Sequence, residues 1–396
     1  MTLVLLHQQY DERDTTAPGR VLPLTLYLHV PWCLRKCPYC DFNSHALRGE
    51  VPEAAYVDAL IADLEQALPG IWGRAVDSVF IGGGTPSLLT PEAVDRLLSG
   101  VRARVPLRAG AEITLEANPG TFEQARFEGY RMAGVNRLSL GIQSFDDRFL
   151  AALGRVHDGV QARAAARAAL ALFERVNLDL MYALPGQSLD DLRRDLDTAL
   201  DLGPGHLSCY HLTLEPNTAF AAQPPELPDD DAAAAMQDQV EQSLAGAGYQ
   251  HYETSAYAQP GQACRHNLNY WLFGDYLGLG AGAHGKLSFP DRVQREARPR
   301  HPGAYLDWVA SGAPPEAART LTAADLKFEF MMNALRLTAG FEAGLFSERT
   351  GLPLAVLNAP LHVAESRGLL VRGEGRIAPT DTGRRFLNDL LQLFLD

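Results

Sequence analysis

YLHVPWCLRKCPYCDF, running from Tyr27 to Phe42, decides the fold of this chain. It continues an apolar, strand-like run that begins at Leu24 and carries Cys33, Cys37 and Cys40 in the spacing C-x3-C-x2-C. A [4Fe-4S] cube has four irons, so three thiolates leave one iron open to a small-molecule ligand. Two plainer readings compete: a structural zinc site, and cysteines buried in a core. Zinc wants four nitrogen or sulfur ligands, commonly as two separated pairs, and here Asp41 and Phe42 follow with no second pair.

Working outward, strand-like runs alternate with helical stretches. The strands read LTLYLHV from Leu24, SVFIGGG from Ser78, EITLEAN from Glu112, RLSLGIQS from Arg137, VNLDLMYA from Val176 and HLSCYHLTL from His206. Helical patterns lie between them, such as PEAAYVDALIADLEQAL from Pro52 and the alanine-rich DGVQARAAARAALALF from Asp158. Six such units predict an α/β fold of parallel strands with helical crossovers, closing as a partial (β/α)6 TIM-type barrel. Active sites of such folds gather at the C-terminal ends of the strands.

Those strand ends carry the polar residues. The second ends in Gly82-Gly83-Gly84-Thr85, where missing side chains let backbone approach a ligand. The third ends at Glu116, the fourth at Gln143 and the fifth near Asp179, with Arg155 just beyond the fourth. A carboxylate accepts from hydroxyl or ammonium groups, an amide does both, and a guanidinium pairs a carboxylate bidentately. For each one singly, a structural hydrogen bond serves equally well.

In sum, Y-x-H-V-P-W-C-x3-C-P-Y-C-D-F, GGGTPS, LEANPG, GIQSF, LGRVH and DLMYALPGQ resemble the oxygen-independent coproporphyrinogen III oxidase-like group of the radical S-adenosylmethionine (SAM) superfamily. The resemblance runs from Tyr27 to the C-terminus. It implies a [4Fe-4S] cluster on Cys33, Cys37 and Cys40, with SAM chelating the open iron. It further implies SAM contacts at Tyr27, Gly83, Gly84, Thr85, Glu116, Gln143, Arg155 and Asp179, with Tyr39 near the adenine. The oxidase branch typically has a fourth cysteine two residues after the third, where this chain has Phe42, and a longer N-terminal arm.

Both departures point to the haem chaperone branch, as does His266-Asn267-Leu268-Asn269-Tyr270-Trp271, which matches that branch's H-N-x-x-Y-W signature. The likeness implies haem at His266, with Tyr270 and Trp271 against the porphyrin. Chemically, neutral imidazole is a good axial ligand and aromatic rings suit a porphyrin face. Cys264 is an alternative thiolate ligand. Cys37-Pro38 resembles a haem-regulatory pair, but its cysteine is already assigned to the cluster. His284, in the glycine-rich GDYLGLGAGAHGKLSF from Gly274, is a polar contact at the site edge or part of a tight loop. The proline-rich, acidic AQPPELPDDDAAAA reads as a surface excursion.

The organisation expected is an N-terminal segment over 1–22, the radical SAM partial barrel over 23–250, a barrel extension with the H-N-x-x-Y-W motif over 251–320, and a small C-terminal α+β winged-helix-like domain over 321–396. That last domain is read from helical stretches followed by a hairpin around Gly373-Glu374-Gly375. From Leu321 to Asp396 eight Arg or Lys face nine Asp or Glu, and the whole chain of 396 residues carries a net charge of -13. Neither supports nucleic acid as a partner. Five cysteines, three at cluster spacing, fit a reducing cytoplasm, and neither a leader nor a membrane span is legible. The function expected is haem chaperoning: haem passes to acceptor haemoproteins, respiratory and membrane-associated ones among them, while an electron donor serves the cluster. The alternative is SAM-dependent oxidative decarboxylation of coproporphyrinogen III. A third class, a DNA-binding regulator, meets the acidic charge.

Overall fold

The computed structural model describes residues 22–120, 124–314 and 318–395. The expected N-terminal segment therefore lies outside the described residues, its last residue excepted. Six strands, β1 (Leu24–Val30), β2 (Val76–Gly83), β3 (Leu107–Ala117), β4 (Arg137–Gln143), β5 (Arg175–Tyr182) and β6 (His206–His211), run parallel in sequence order. Helices follow them in turn: α1 (Glu53–Ile71), α2 (Pro91–Arg102), α3 (Phe127–Ala133), α4 (Gly159–Leu172), α5 (Leu189–Leu202) and α6 (Asp230–Gly246). The partial (β/α)6 barrel expected from the alternation is what forms.

Local chemistry starts these helices where the chain needs them. Asp158 and Ser188 close capping boxes with Gln161 and Asp191 at the heads of α4 and α5. Asp229 caps α6, so the acidic stretch read as a surface excursion is partly helix. Its aspartates suit a helix N-terminus, where carboxylates meet unsatisfied N–H groups.

Strand alternation sorts the two faces. Leu24, Leu26, Leu28 and Val30 of β1 are fully buried in the same core as Tyr56, Leu60 and Leu64 of α1. Each such aliphatic side chain stabilises the fold by roughly 1.5–3 kcal/mol. The intervening Thr25, Tyr27 and His29 take the opposite, polar face, where Tyr27 feels the charge of Glu116 and packs beside Phe80.

The sheet is wider than the sequence pattern foretold. Six further strands, β7 (Gln250–Glu253), β8 (Ala256–Ala258), β9 (Asp275–Leu279), β10 (His284–Ser288), β11 (Val293–Ala297) and β12 (Arg319–Thr320), extend it to twelve, in the order β12-β11-β10-β9-β1-β2-β3-β4-β5-β6-β8-β7. β9 pairs parallel with β1, and the other additions are antiparallel. The segment from Gly274, expected as a loop or strand packing, thus supplies two strands.

Between β8 and β9 lies α7 (Arg265–Trp271), the helix of the HNLNYW motif. It docks at the N-terminal ends of the parallel strands: Asn269 donates to Thr25 Oγ1 at 3.2 Å, Arg265 to the Gly110 carbonyl at 3.1 Å, and the His266 backbone to Glu112 at 3.2 Å. The motif therefore closes the end of the barrel opposite the cysteine loop.

Beyond it, α8 (Ala323–Ala334), α9 (Ala343–Thr350) and α10 (Asn358–Ser366) pack with a three-stranded sheet of β13 (Phe341–Glu342), β14 (Leu370–Gly373) and β15 (Arg376–Pro379), the expected winged-helix-like arrangement. The hairpin turns at Glu374 and Gly375, both at positive φ (51° and 78°). Phe330, Phe341 and Phe346 form its aromatic core, which Phe273 and Val293 from the barrel side join.

Candidate cluster and cofactor site

The cysteine loop is held by the tip of β2. Gly84 N–H donates to the Val30 carbonyl at 2.8 Å and Thr85 N–H to that of Trp32 at 2.7 Å. A methyl group on Gly84 would lie 2.5 Å from the Trp32 oxygen, and one on Gly83 2.5 Å from the His29 ring; Gly83 also needs a φ of +117°. The glycines do permit a close approach, and what they approach in the described structure is the cysteine loop's own root.

Cys33, Cys37 and Cys40 are free and half-buried on this loop. Cys37 Sγ accepts from Arg155 at 3.5 Å, and Cys40 Sγ lies 3.8 Å from Ser44 Oγ. Burial pushes the Cys33 and Cys40 thiols up. Among the described residues no trio of His, Cys, Asp or Glu converges on a single-ion site. The three thiols share one loop, and a [4Fe-4S] cube takes each protein thiolate on a different iron.

Behind the loop, two carboxylates share the polar face. Glu116 accepts from Gly83 N–H at 3.0 Å and is pushed up to about 7 by burial and by nearby Asp179. Burial also raises Asp179, which Asn177 (2.8 Å) and Ser139 (3.4 Å) hold in place. Tyr27 bonds His29 Nδ1 at 3.0 Å, and burial drives its phenol well up. Gln143 ends β4 in the left-handed region (φ 67°), just where the β4–β5 register shifts. For a non-glycine residue that conformation is uncommon and points its side chain away from the regular ladder.

Arg155 ties three segments together. It donates to Asn118 Oδ1 at 2.6 Å and to the Gly141 carbonyl at 2.8 Å as well as to Cys37, and its buried Nε has no partner among the described residues. Asn118 also donates to Thr85 Oγ1 at 3.0 Å. Tyr39 packs on an apolar cluster with Phe149, Leu153 and Met181. The structure thus joins the nine expected SAM positions in two groups, Tyr27–Gly83–Glu116–Asp179 and Thr85–Arg155–Cys37, with Gly84 rooting the loop and Gln143 and Tyr39 flanking it. Sequence reasoning missed Asn118, His29 and Tyr210. The first sits inside the LEANPG motif, the second alternates with Tyr27, and the third, 43% exposed, lies at the end of β6 within reach of the Asp179 and Glu116 charges.

At the other end, His266 is only 1% exposed. Its Nδ1 shares a hydrogen bond with Ser78 Oγ at 2.9 Å and its Nε2 with Tyr270 OH at 3.1 Å, and the ring packs 5.0 Å from Phe80. Burial, with Arg137 nearby, lowers its pKa to about 3, so the imidazole is neutral. In this conformation neither nitrogen is free for a metal. Tyr270 stands edge-on to Tyr276 at 4.4 Å, while Arg336 covers Trp271 at 4.3 Å, whose buried Nε1 has no partner among the described residues. Cys264 is fully buried, pushed up to about 12 by burial, and 3.5 Å from Glu112, which argues against it as a thiolate ligand.

A model of the radical SAM superfamily matches residues 27–199, and one of the HemN C-terminal domain matches residues 321–386. The chain is 52% identical over 375 residues to the haem chaperone HemW of Escherichia coli (strain K12), covering 94% of this chain and 98% of that protein. Its identity to haem chaperone HemW of Haemophilus influenzae is 46%, with 94% and 98% covered, and to that of Mycobacterium tuberculosis (strain ATCC 25618 / H37Rv) 40%, with 99% and 100% covered. Among solved structures, coproporphyrinogen III oxidase (HemN) from Escherichia coli, a radical SAM enzyme, matches with a TM-score of 0.81 at 25% identity, over 94% of this chain and 90% of that one.

Proposed function

We propose, from the premise that the chain belongs to the haem chaperone HemW family within the radical SAM superfamily, that it binds haem and hands it to acceptor haemoproteins. The observation that carries this reading furthest is an unbroken line of contacts joining the two ends of the barrel. His266 packs on Phe80 at 5.0 Å, Phe80 on Tyr27 at 6.2 Å, Tyr27 bonds His29 at 3.0 Å, and His29 Nε2 bonds the Asn43 carbonyl of the cysteine loop at 2.9 Å. A chaperone that must both hold and release its cargo benefits from such contiguity between cargo motif and cofactor loop.

In this reading Cys33, Cys37 and Cys40 hold a [4Fe-4S] cluster. When bound and reduced, such a cluster would supply an electron to SAM. Glu116 and Asp179 offer carboxylate acceptors for the ammonium and ribose hydroxyls, and Gln143 offers an amide. Tyr27, Gly83, Gly84 and Thr85 would shape the floor beneath, Arg155, which holds the cysteine loop through Cys37, would pair the SAM carboxylate, and Tyr39 would offer a ring to the adenine. His266, Tyr270 and Trp271 are the haem-binding element; the neutral imidazole is the ligating form, and its use requires Tyr270 to withdraw. We assign the chain to the cytoplasm, where unpaired cysteines persist, with respiratory, membrane-associated haemoproteins as recipients and a separate electron donor for the cluster. Among the described residues no helix is long and apolar enough to cross a membrane.

Anaerobic haem titration of cluster-reconstituted protein, followed by absorbance, tests the reading. Saturable binding, weakened roughly tenfold in His266→Ala, is expected. The structural likeness to the oxidase favours a second reading, oxidative decarboxylation of coproporphyrinogen III. Phe42 in place of a fourth cysteine speaks against it. Absence of saturable haem binding by the wild type, together with carbon dioxide release coupled to SAM cleavage, would establish the oxidase instead.

A further inference from the structure

Asn118, just past the end of β3, makes no hydrogen bond to a cysteine among the described residues, yet it bonds two side chains that do. Its Oδ1 accepts from Arg155 at 2.6 Å, and Arg155 donates in turn to Cys37 Sγ at 3.5 Å. Its Nδ2 donates to Thr85 Oγ1 at 3.0 Å. Burial raises the Cys33 thiol, and a hydrogen bond from the Thr85 side chain opposes that rise. The third cysteine, Cys40, lies 3.8 Å from Ser44 Oγ instead.

Donor and acceptor chemistry fixes which way the hydrogens point. A guanidinium only donates, so the Asn118 oxygen must face Arg155 and its amide nitrogen must face Thr85. A hydroxyl has a single hydrogen. Because Thr85 Oγ1 accepts from Asn118, that hydrogen is left to point at Cys33. Arg155 is held in the same way: its Nη2 donates both to Asn118 and to the Gly141 carbonyl at 2.8 Å, which leaves Nη1 to face Cys37. Thr85 is only 3% exposed, and its N–H donates to the Trp32 carbonyl at 2.7 Å, so the hydroxyl is fixed beside the cysteine loop and shielded from water.

Resting on the cluster assignment of Cys33, Cys37 and Cys40 above, we propose that Asn118 is a positioning residue that sets the cluster's reduction potential. It does so by turning the Thr85 hydroxyl toward Cys33 and the Arg155 guanidinium toward Cys37. Donors aimed at ligand sulfurs favour the reduced state, which carries one more negative charge, and so raise the potential. The role requires an amide. A carboxylate at position 118 would still accept from Arg155, but it would also accept from Thr85, turning the hydroxyl hydrogen away from Cys33.

The experiment reduces cluster-reconstituted, SAM-free, full-length protein with dithionite at a series of poised potentials. The one-electron-reduced cluster is read by electron paramagnetic resonance, with iron and sulfide content measured alongside. Wild type, Thr85→Val, Asn118→Asp and the double variant form a cycle. Thr85→Val alone should lower the potential by roughly a tenfold change in the one-electron equilibrium, about 59 mV. Added to Asn118→Asp it should lower it no further, and the charge of the new carboxylate is common to both members of that comparison. Asn118→Ala, which releases both donors without adding charge, should lower the potential at least as far as Thr85→Val. An equal Thr85→Val shift in the two backgrounds would overturn the positioning role, as would a wild-type potential in Asn118→Ala. A wild type that takes up no iron and sulfide would overturn the cluster assignment itself, so the two failures are told apart.

Discussion

Glu116 shows what a single residue contributes here. The interior polar face puts it beside Asp179 with little water to spread the charge, and its pKa stands at about 7 against an ordinary 4.5. An acid raised in the native state binds protons that the unfolded chain has released. Its native form is therefore unpenalised below about 4.5 and is destabilised progressively as pH climbs toward 7, beyond which the cost is constant. Glu116→Gln keeps an acceptor for Gly83 N–H and removes the charge. Urea unfolding of the cofactor-free protein should find the variant more stable than wild type by ~1–3 kcal/mol at pH 8 and level with it at pH 4. A difference independent of pH would refute the shared-burden picture of Glu116 and Asp179. At this scale the sequence announced the cysteines through spacing alone. It did not announce Asn118, because its value lies in reaching Thr85 and Arg155 at once, and three strand tips must assemble before that contact exists.

Among elements, α7 and β9 were the least legible. The run GDYLGLGAGAHG looks like a loop because glycine is poor in strands. Its glycines are there for crowding: a methyl on Gly278 would lie 2.1 Å from the His284 carbonyl oxygen, and one on Gly280 2.4 Å from that of His29. Pairing to neighbours distant in sequence, invisible in local periodicity, makes this segment a strand. The HNLNYW helix was legible as a motif and illegible as a plug, since no pattern in seven residues tells which end of a barrel they close. Its docking rests on buried polar contacts, so Ser78→Ala should leave His266 Nδ1 unsatisfied and cost ~1–3 kcal/mol in chemical denaturation. Unchanged stability in that variant would mean that the helix is seated by its aromatic contacts instead.

For the whole molecule, the alternating β/α pattern sufficed to foretell the partial barrel, and helices followed by a hairpin foretold the winged-helix-like unit. The seam between them was hidden. Phe273, from the barrel side, packs edge-on to Phe330 at 5.6 Å, and its carbonyl accepts from buried Lys286 at 3.0 Å. Removing the chain after Thr320 would bare Phe273 and Val293. The truncated protein should bind a hydrophobic dye strongly and melt several degrees lower than wild type. An equal melting temperature with no dye binding would show the barrel to be independent of its C-terminal neighbour. Placing the cysteine loop at one mouth of the barrel and the HNLNYW helix at the other also has a thermodynamic consequence. Haem and SAM, seated as proposed, do not compete for space, so all four combinations of empty and filled sites exist and form a closed cycle. The factor by which SAM changes haem affinity must then equal the factor by which haem changes SAM affinity.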